Sequence, residues 1–293
     1  MSSMFETLVA LAASTMRVSL PLIFAALGGL MSERAGVINI ALEGGMLLGA
    51  FVAAAVTLTT GSPLLGLAAA VAAGSIYGAI YAFFSIEARS NQIVAGTAMN
   101  MLAIGLTPLL CKALYGSGGS SPSIPIENRL GMEVILFAGL LILAIHFWFY
   151  RSASGLWLRF AGEHPQALSA AGVRVRAVRW SAVILSGALA ALGGAVLSIA
   201  LSSSFSRGMS AGRGFIALAA LIFGKWKPIP TAFACLLFGL MDAGQIRLQG
   251  LVLWGSEPVP VQFIQILPYI FTVLVLAGFV GKSRPPQALG GSL

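Results

Sequence analysis

Apolar residues run along this chain in stretches of about 20, separated by short clusters of glycine, proline and charge. As helices, stretches of that length match the roughly 30 Å hydrocarbon thickness of a bilayer. The punctuation predicts nine spans, at about 8–31, 37–60, 63–86, 92–114, 132–150, 181–203, 211–224, 229–248 and 262–281, of which 211–224 is short. The class expected is an all-α integral membrane protein in which residues 1–293 form a single transmembrane domain. The opening "MSSMFETLVALAAS" carries an acid, Glu6, as its first charge. A secretory leader begins with positive charge, so this stretch is expected to stay in the mature chain.

Composition strengthens the membrane reading: 58% of residues are hydrophobic and 9% charged, against about 25% charged in soluble domains. The net charge of +8 does not point to nucleic acid, because the arginines fall between apolar runs without interleaved aromatics. They report topology instead. The interval 151–180 holds Arg151, Arg159, Arg174, Arg176 and Arg179 against a single acid, Glu163, which assigns it to the cytoplasm by the positive-inside rule. Counting spans from it puts Arg34, Arg89, Lys225 to Lys227 and the C-terminus on the cytoplasmic side. The N-terminus and the Gly/Ser/Pro-rich loop 116–131 are then outside. Cys111 and Cys235 lie in or beside spans with no metal or redox spacing, which gives them structural roles.

Sliding the chain along itself by 165 residues superimposes "AALGG" at 25–29 on 190–194, Gly49 on Gly214, Pro63 on Pro228 and Gly74 on Gly239, without a gap. The offset equals five spans, an odd number, so matched helices would cross in opposite directions. Two inverted-topology repeats are expected, at about 16–114 and 181–281. In transport folds such repeats meet at the substrate pathway. The alternative is that two glycine-rich helices merely pack alike.

Within this frame "SERAGVINIALEGGMLLGAF", Ser32 to Phe51, is unusual. A charge at mid-bilayer costs about 2.5–3.5 kcal/mol on insertion scales, so Glu43 should face protein or water. Asn39 is four residues earlier on the same helical face. Gly36, Gly44 and Gly45 permit a break, tolerable only where protein or a wet cavity satisfies the backbone. The self-alignment puts Ser204 and Gly208 opposite Asn39 and Glu43, inside the Ser/Gly-rich "SSSFSRGMSAGRG". These positions are candidates for the translocation path. Asn91, Gln92 and Asn100 at the start of the fourth span are candidates for lining, capping or gating, and Asp242 and Gln245 for an outer mouth. The competing reading is that Asn39 and Glu43 only lock helices through buried hydrogen bonds.

In the cytoplasmic interval, "EHPQALSAAG" predicts a short helix with Pro165 in its first turn and Gly172 beyond its end. It would be either a solvated linker or a rigid knob received by a soluble partner.

Four stretches in order, "SERAGVINIALEGGMLLGAF", "NQIVAGTAMNMLAIGLT", "AGEHPQALSAAGV…LSGALAALGGA" and "GRGFIALAALIFGKWKPIPTAFACLLFGLMDA", resemble the permease subunit of a bacterial ABC importer. The branch is the nucleoside and simple-sugar type, related to ribose and branched-chain amino acid permeases, and the likeness covers about residues 16–281. It implies a second permease subunit, usually a different chain, a cytoplasmic ATPase with two nucleotide-binding units that would bind ATP and Mg, and an extracytoplasmic substrate-binding protein. It implies further that Glu163, His164, Pro165, Ala167, Ala170, Ala171 and Gly172 belong to the coupling helix that docks on the ATPase, with His164 where the family commonly has Asn. Larger relatives have ten spans, and this chain is expected to lack the first, in keeping with an outside N-terminus in a bacterial inner membrane. The chain itself carries no GxxxxGK[ST] loop, so neither ATP hydrolysis nor a cofactor is expected within it. No catalytic cluster surrounds His146 or His164 either. The rival transport reading is an ion-coupled secondary transporter with Glu43 and Asp242 as ion sites.

Overall fold

The computed structural model describes residues 2–248 and 284–291 together with positions 266 and 270. Among these residues the architecture is helical, with one isolated β-bridge between Ser120 and Ser206. Among the described residues seven helices are long and apolar enough to cross a membrane, and an eighth, 213–223, is apolar but shorter. The last predicted span, 262–281, lies outside the described residues.

Helix α1 is Ser2–Arg34, α2 Leu42–Thr60 and α3 Pro63–Ala82, the last continuing into a π-helical turn at Phe83–Glu87. Each boundary has a local cause. Arg34 in the last turn of α1 suits the negative end of the helix dipole. Gly61 takes the left-handed conformation and returns its N–H to the Thr57 carbonyl, ending α2. Pro63 occupies the first turn of α3, where its missing donor costs nothing.

Next come α4, Gln92–Tyr115, and α5, Glu133–Arg151. Asn91 caps α4 by accepting the N–H groups of Ile93 and Val94. The interval expected to hold one short helix holds two: α6 at Ala153–Glu163 and α7 at Pro165–Ala170. The Ser152 hydroxyl starts α6 by accepting the Gly155 N–H at 2.9 Å. Helix α8 is Val175–Val196, running into a π-helical turn at Leu197–Leu201. Finally α9 spans Arg213–Phe223 and α10 Pro228–Leu248.

The central element is α8, buried along nearly all its length. Because lipid tails are as apolar as leucine, close approach rather than water exclusion holds membrane helices together, and small residues permit it. A methyl group on Gly28 of α1 would stand 2.7 Å from the Ser186 carbonyl of α8. One on Gly193 of α8 would stand 2.7 Å from the Pro21 carbonyl of α1. These two contacts set α1 and α8 antiparallel. Gly49 of α2 rests on Ala191, Gly194 on Met46, and Gly74 of α3 on Gly187. The packing pattern recurs: α3 lies along α8 as α10 lies along α1. The outer helices α4 and α5 expose Met101, Leu109, Leu136, Leu140 and Phe147, as helices facing lipid or a neighbouring subunit do.

One face carries α7. On the opposite face the 116–131 loop is fastened to the segment after α8: Leu130 donates to Ile199, Ile124 to Ser203, Ser121 to Phe205 and Arg207 to Gly119. These bonds satisfy the backbone that leaves the helical ladder there.

Candidate translocation site and coupling element

The second span was expected to be helical from residue 37, with a break. The break comes first: Gly36 (φ 93°) turns the chain, Val37–Ala41 is non-helical, and the helix begins at Leu42. Gly44 and Gly45 lie within α2, where they admit the Tyr77 ring and Ala190 instead of breaking the helix. Without an intrahelical ladder, the polar backbone of 37–41 needs other partners at membrane depth. Side chains supply them. Ile38 N–H donates to Gln92 Oε1 at 2.8 Å, and the Ile38 carbonyl accepts the Tyr81 hydroxyl. Asn100 Nδ2 donates to the Ile40 carbonyl at 3.0 Å while its Oδ1 accepts Gly44 N–H at 2.8 Å. Asn39 Oδ1 accepts Ala41 N–H at 3.1 Å, and its Nδ2 reaches the Ser186 hydroxyl at 2.8 Å. Asn39, Gln92 and Asn100 together stand in for a missing helical turn.

Glu43, 7% exposed, serves a second broken element. Its Oε1 accepts Gly212 N–H at 2.8 Å and its Oε2 accepts Gly214 N–H at 2.7 Å. At the start of α9 Arg213 N–H goes to the Ser210 carbonyl and Phe215 and Ile216 N–H go to that of Gly212, so Glu43 takes the two donors left over, and the helix dipole favours a negative charge there. Gly214 has to be glycine, because a Cβ would stand 2.5 Å from the backbone nitrogen of Glu43. Beyond the far end of α9, Trp226 Nε1 donates to Glu33 Oε2 at 2.6 Å, and Glu33 is also buried.

Two cavities flank this polar network. On the α7 face, one of about 270 Å3 is lined by Val37, Ile38, Arg89, Asn91, Gln92 and Arg179, among others. Toward the opposite face, one of about 570 Å3 is lined by Arg17, Leu201, Ser202, Ser206, Arg213 and Arg247, among others. Asn39 follows Ile38 in the chain, and Glu43 bonds on both sides of Arg213, so the lock joins the two linings. Of the remaining candidates, Ser204 lies in the fastened loop between Ser203 and Phe205, away from Asn39. Asp242 is half-buried on α10, next to Ala243 of the larger cavity.

On the α7 face, Pro165 opens α7 as expected and Gly172 (φ 80°) closes it, with Val173 N–H returning to the Leu168 carbonyl. Leu168 is buried beside Ala161 and Val175, while Gln166, Ala167, Ser169, Ala170, Ala171 and Gly172 are exposed. Glu163 pairs with Arg34 at 3.2 Å, tying the root of α7 to the end of α1.

Comparison with known proteins identifies the family. Residues 11–276 match the model of a family described as the branched-chain amino acid transport system / permease component. The chain belongs to this permease family. Among its relatives, the nucleoside ABC transporter permease protein NupC of Lactococcus lactis is 36% identical, over 97% of this chain and 96% of the relative. The guanosine ABC transporter permease protein NupQ of Bacillus subtilis is 36% identical over 94% of each. A putative glucose ABC transporter permease protein of Haloferax volcanii, TsgC13, is 34% identical over 90% and 89%. No solved structure matches. The chain is thus a multi-pass membrane permease similar along its whole length to components of ABC transporters.

Several residues of the permease site escape a reading of the sequence. Ser186, partner of Asn39, is one serine in a small-residue run that gives no cue. Gly212 and Gly214 stand in the Ser/Gly-rich segment, which marked the place but not the partner. Tyr81 and Trp226 look like ordinary interfacial aromatics. Arg179, counted above only for topology, is 3% exposed and donates to the carbonyls of Ala35, Ala161 and Gly291.

Proposed function

We propose that the chain is the membrane-spanning permease subunit of an ATP-driven importer and carries a nucleoside or simple sugar by alternating access. The observation that carries the proposal is α7. It is a proline-started, glycine-ended helix that shows Gln166, Ala167 and Ala170 to solvent and is rooted through Glu163 on Arg34 at the foot of the broken α2. That small-residue face has the shape of a docking knob. A cytoplasmic ATPase with two nucleotide-binding units, binding ATP and Mg, would receive it, and a second permease subunit would complete the path. An extracytoplasmic binding protein would deliver the solute.

Closure of the ATPase would push α7, and α6 and Arg34 would pass the displacement to the turn at Gly36. The segments that meet at the Glu43 lock are held by side chains rather than by a helical ladder. They can therefore exchange partners without unwinding a helix. The matched contacts of Gly28 and Gly193 support reading 16–114 and 181–281 as inverted repeats, with α7 and the C-terminus cytoplasmic and the N-terminus outside. The relatives named for nucleosides, guanosine and glucose support a neutral polyhydroxy solute. The network around Asn39 and Asn100 offers amides and hydroxyls to such a solute once its own bonds are exchanged.

Reconstitution of the full assembly in vesicles tests this reading. ATP-dependent accumulation of guanosine, uridine or glucose is expected, and uptake driven by a sodium or proton gradient without ATP would overturn it. Substituting Ala167→Glu together with Ala170→Glu should lower uptake at least about ten-fold, while the permease still assembles in the membrane. Normal uptake in that variant would remove α7 from the mechanism.

A further inference from the structure

The C-terminal segment 284–291 does not hang free of the bundle. Ala288 N–H donates to the Gly162 carbonyl at 2.8 Å and Gly290 N–H to the Gly36 carbonyl at 3.0 Å. Gln287 N–H reaches Glu163 Oε2 at 3.3 Å, on the carboxylate whose other oxygen holds Arg34. The Arg179 guanidinium gathers the knot: its nitrogens donate to Ala35 O at 3.0 Å, Gly291 O at 3.2 Å and Ala161 O at 3.4 Å. Four segments distant in sequence meet here: the α1–α2 turn, the end of α6, the first turns of α8 and the tail. Gly162 has no side chain because a Cβ would strike the Arg34 carbonyl, and one on Gly36 would meet Arg179 Nη2 at 2.9 Å.

The position of this knot matters more than its existence. On one side, α7 is joined to α6 through the non-helical His164 and to α8 through the left-handed Gly172. Both joints can bend and absorb a push. On the other side, Gly36 is the last residue before the non-helical Val37–Ala41. The Arg34–Glu163 pair, its side chains 18% and 36% exposed, is a single side-chain contact at 3.2 Å. The tail adds a backbone hydrogen bond to each side of this contact, at Gly162 and at Gly36, and an arginine fork presents several donors in one rigid plane. The tail also repeats the tetrapeptide of α7: Pro286-Gln287-Ala288-Leu289 matches Pro165-Gln166-Ala167-Leu168. Both copies turn, with leucine inward and glutamine outward.

We propose that segment 284–291, anchored by Arg179, is the tie that transmits displacement of α7 to the broken start of α2, so that its loss uncouples ATP hydrolysis from transport. The inference rests on α7 being the element that the ATPase moves.

The test uses the complete assembly in vesicles, with uptake of guanosine, uridine and glucose and ATP hydrolysis measured in parallel. Two variants are compared with the unaltered chain: truncation before Arg284, and Ala288→Pro, which keeps the tail but deletes the N–H donated to Gly162. In both, the ATPase is expected to co-purify and hydrolysis to persist, while solute accumulated per ATP falls about five-fold or more. Should the truncated chain not reach the membrane, Ala288→Pro decides alone. A ratio within about two-fold of the unaltered assembly overturns the tie. Loss of the ATPase on purification also overturns it, because the tail would then be a docking surface. If the unaltered assembly shows no ATP-driven uptake, it is the importer reading that fails.

Discussion

Gly28 and Gly193 stand 165 residues apart and do the same thing in opposite directions: Gly28 presses on the Ser186 carbonyl and Gly193 on the carbonyl of Pro21. Pro21 and Ser186 are themselves 165 residues apart. The contact between α1 and α8 is therefore reciprocal, as a two-fold axis lying across both helices requires.

That contact predicts which glycines tolerate a methyl group. Gly28→Ala and Gly193→Ala each set a Cβ 2.7 Å from a carbonyl oxygen on a buried backbone. Each should cost about 1–3 kcal/mol through forced separation of the helices. Gly105→Ala in α4 and Gly139→Ala in α5 meet nothing within 4 Å. They should instead gain about 0.5–1 kcal/mol from helix propensity. Thermal unfolding of the purified permease in detergent reads all four, and equal midpoints for the two pairs would contradict the packing.

Glu43 separates a lock from a lining. Glu43→Ala leaves the buried Gly214 N–H and the half-buried Gly212 N–H without acceptors and should cost roughly 2–4 kcal/mol. Glu43→Gln keeps one carbonyl oxygen and should cost about half of that. Uptake is expected to follow stability through the series. A Glu43→Gln variant of unchanged unfolding midpoint that has lost uptake would show the negative charge acting on the solute.

Topology can be read with thiols, since Cys111 and Cys235 are both fully buried and give little background. Ser120→Cys, in the exposed 116–131 loop, should react with an impermeant maleimide added to intact cells. Ala170→Cys, exposed on α7, should react only after the membrane is opened. Labelling in the reverse order would turn the protein over.

Much of this fold was visible in residue patterns, for reasons that differ from element to element. Spans announce themselves because a bilayer demands about 20 apolar residues whatever the packing. "AALGG" was visible because glycines in helix contacts cannot be exchanged without separating the helices. The polar stretch after Ser32 showed that something breaks there, since a buried acid has to be answered. What answers it was not legible: Ser186, Gly212 and Gly214 are small residues whose role exists only across the bundle. Helix α6 was missed because it is short and lies in an interval whose arginines marked it only as cytoplasmic. Its signals were the Ser152 cap and the inward spacing of Leu158 and Ala161. The tail was read only for its side of the membrane, although its second "PQAL" was there to be seen.

The two carboxylates on the α1–α2 hairpin have a mechanical corollary. Glu43 grips the top of α9 and Glu33, through Trp226, grips the residue just past its foot. A rod pinned at both ends to one neighbour travels with that neighbour. Although α9 is encoded in the latter half of the chain, it is cargo of the former half. Its own half reaches it through the loop before α9 and the left-handed Lys225 and Trp226 after it.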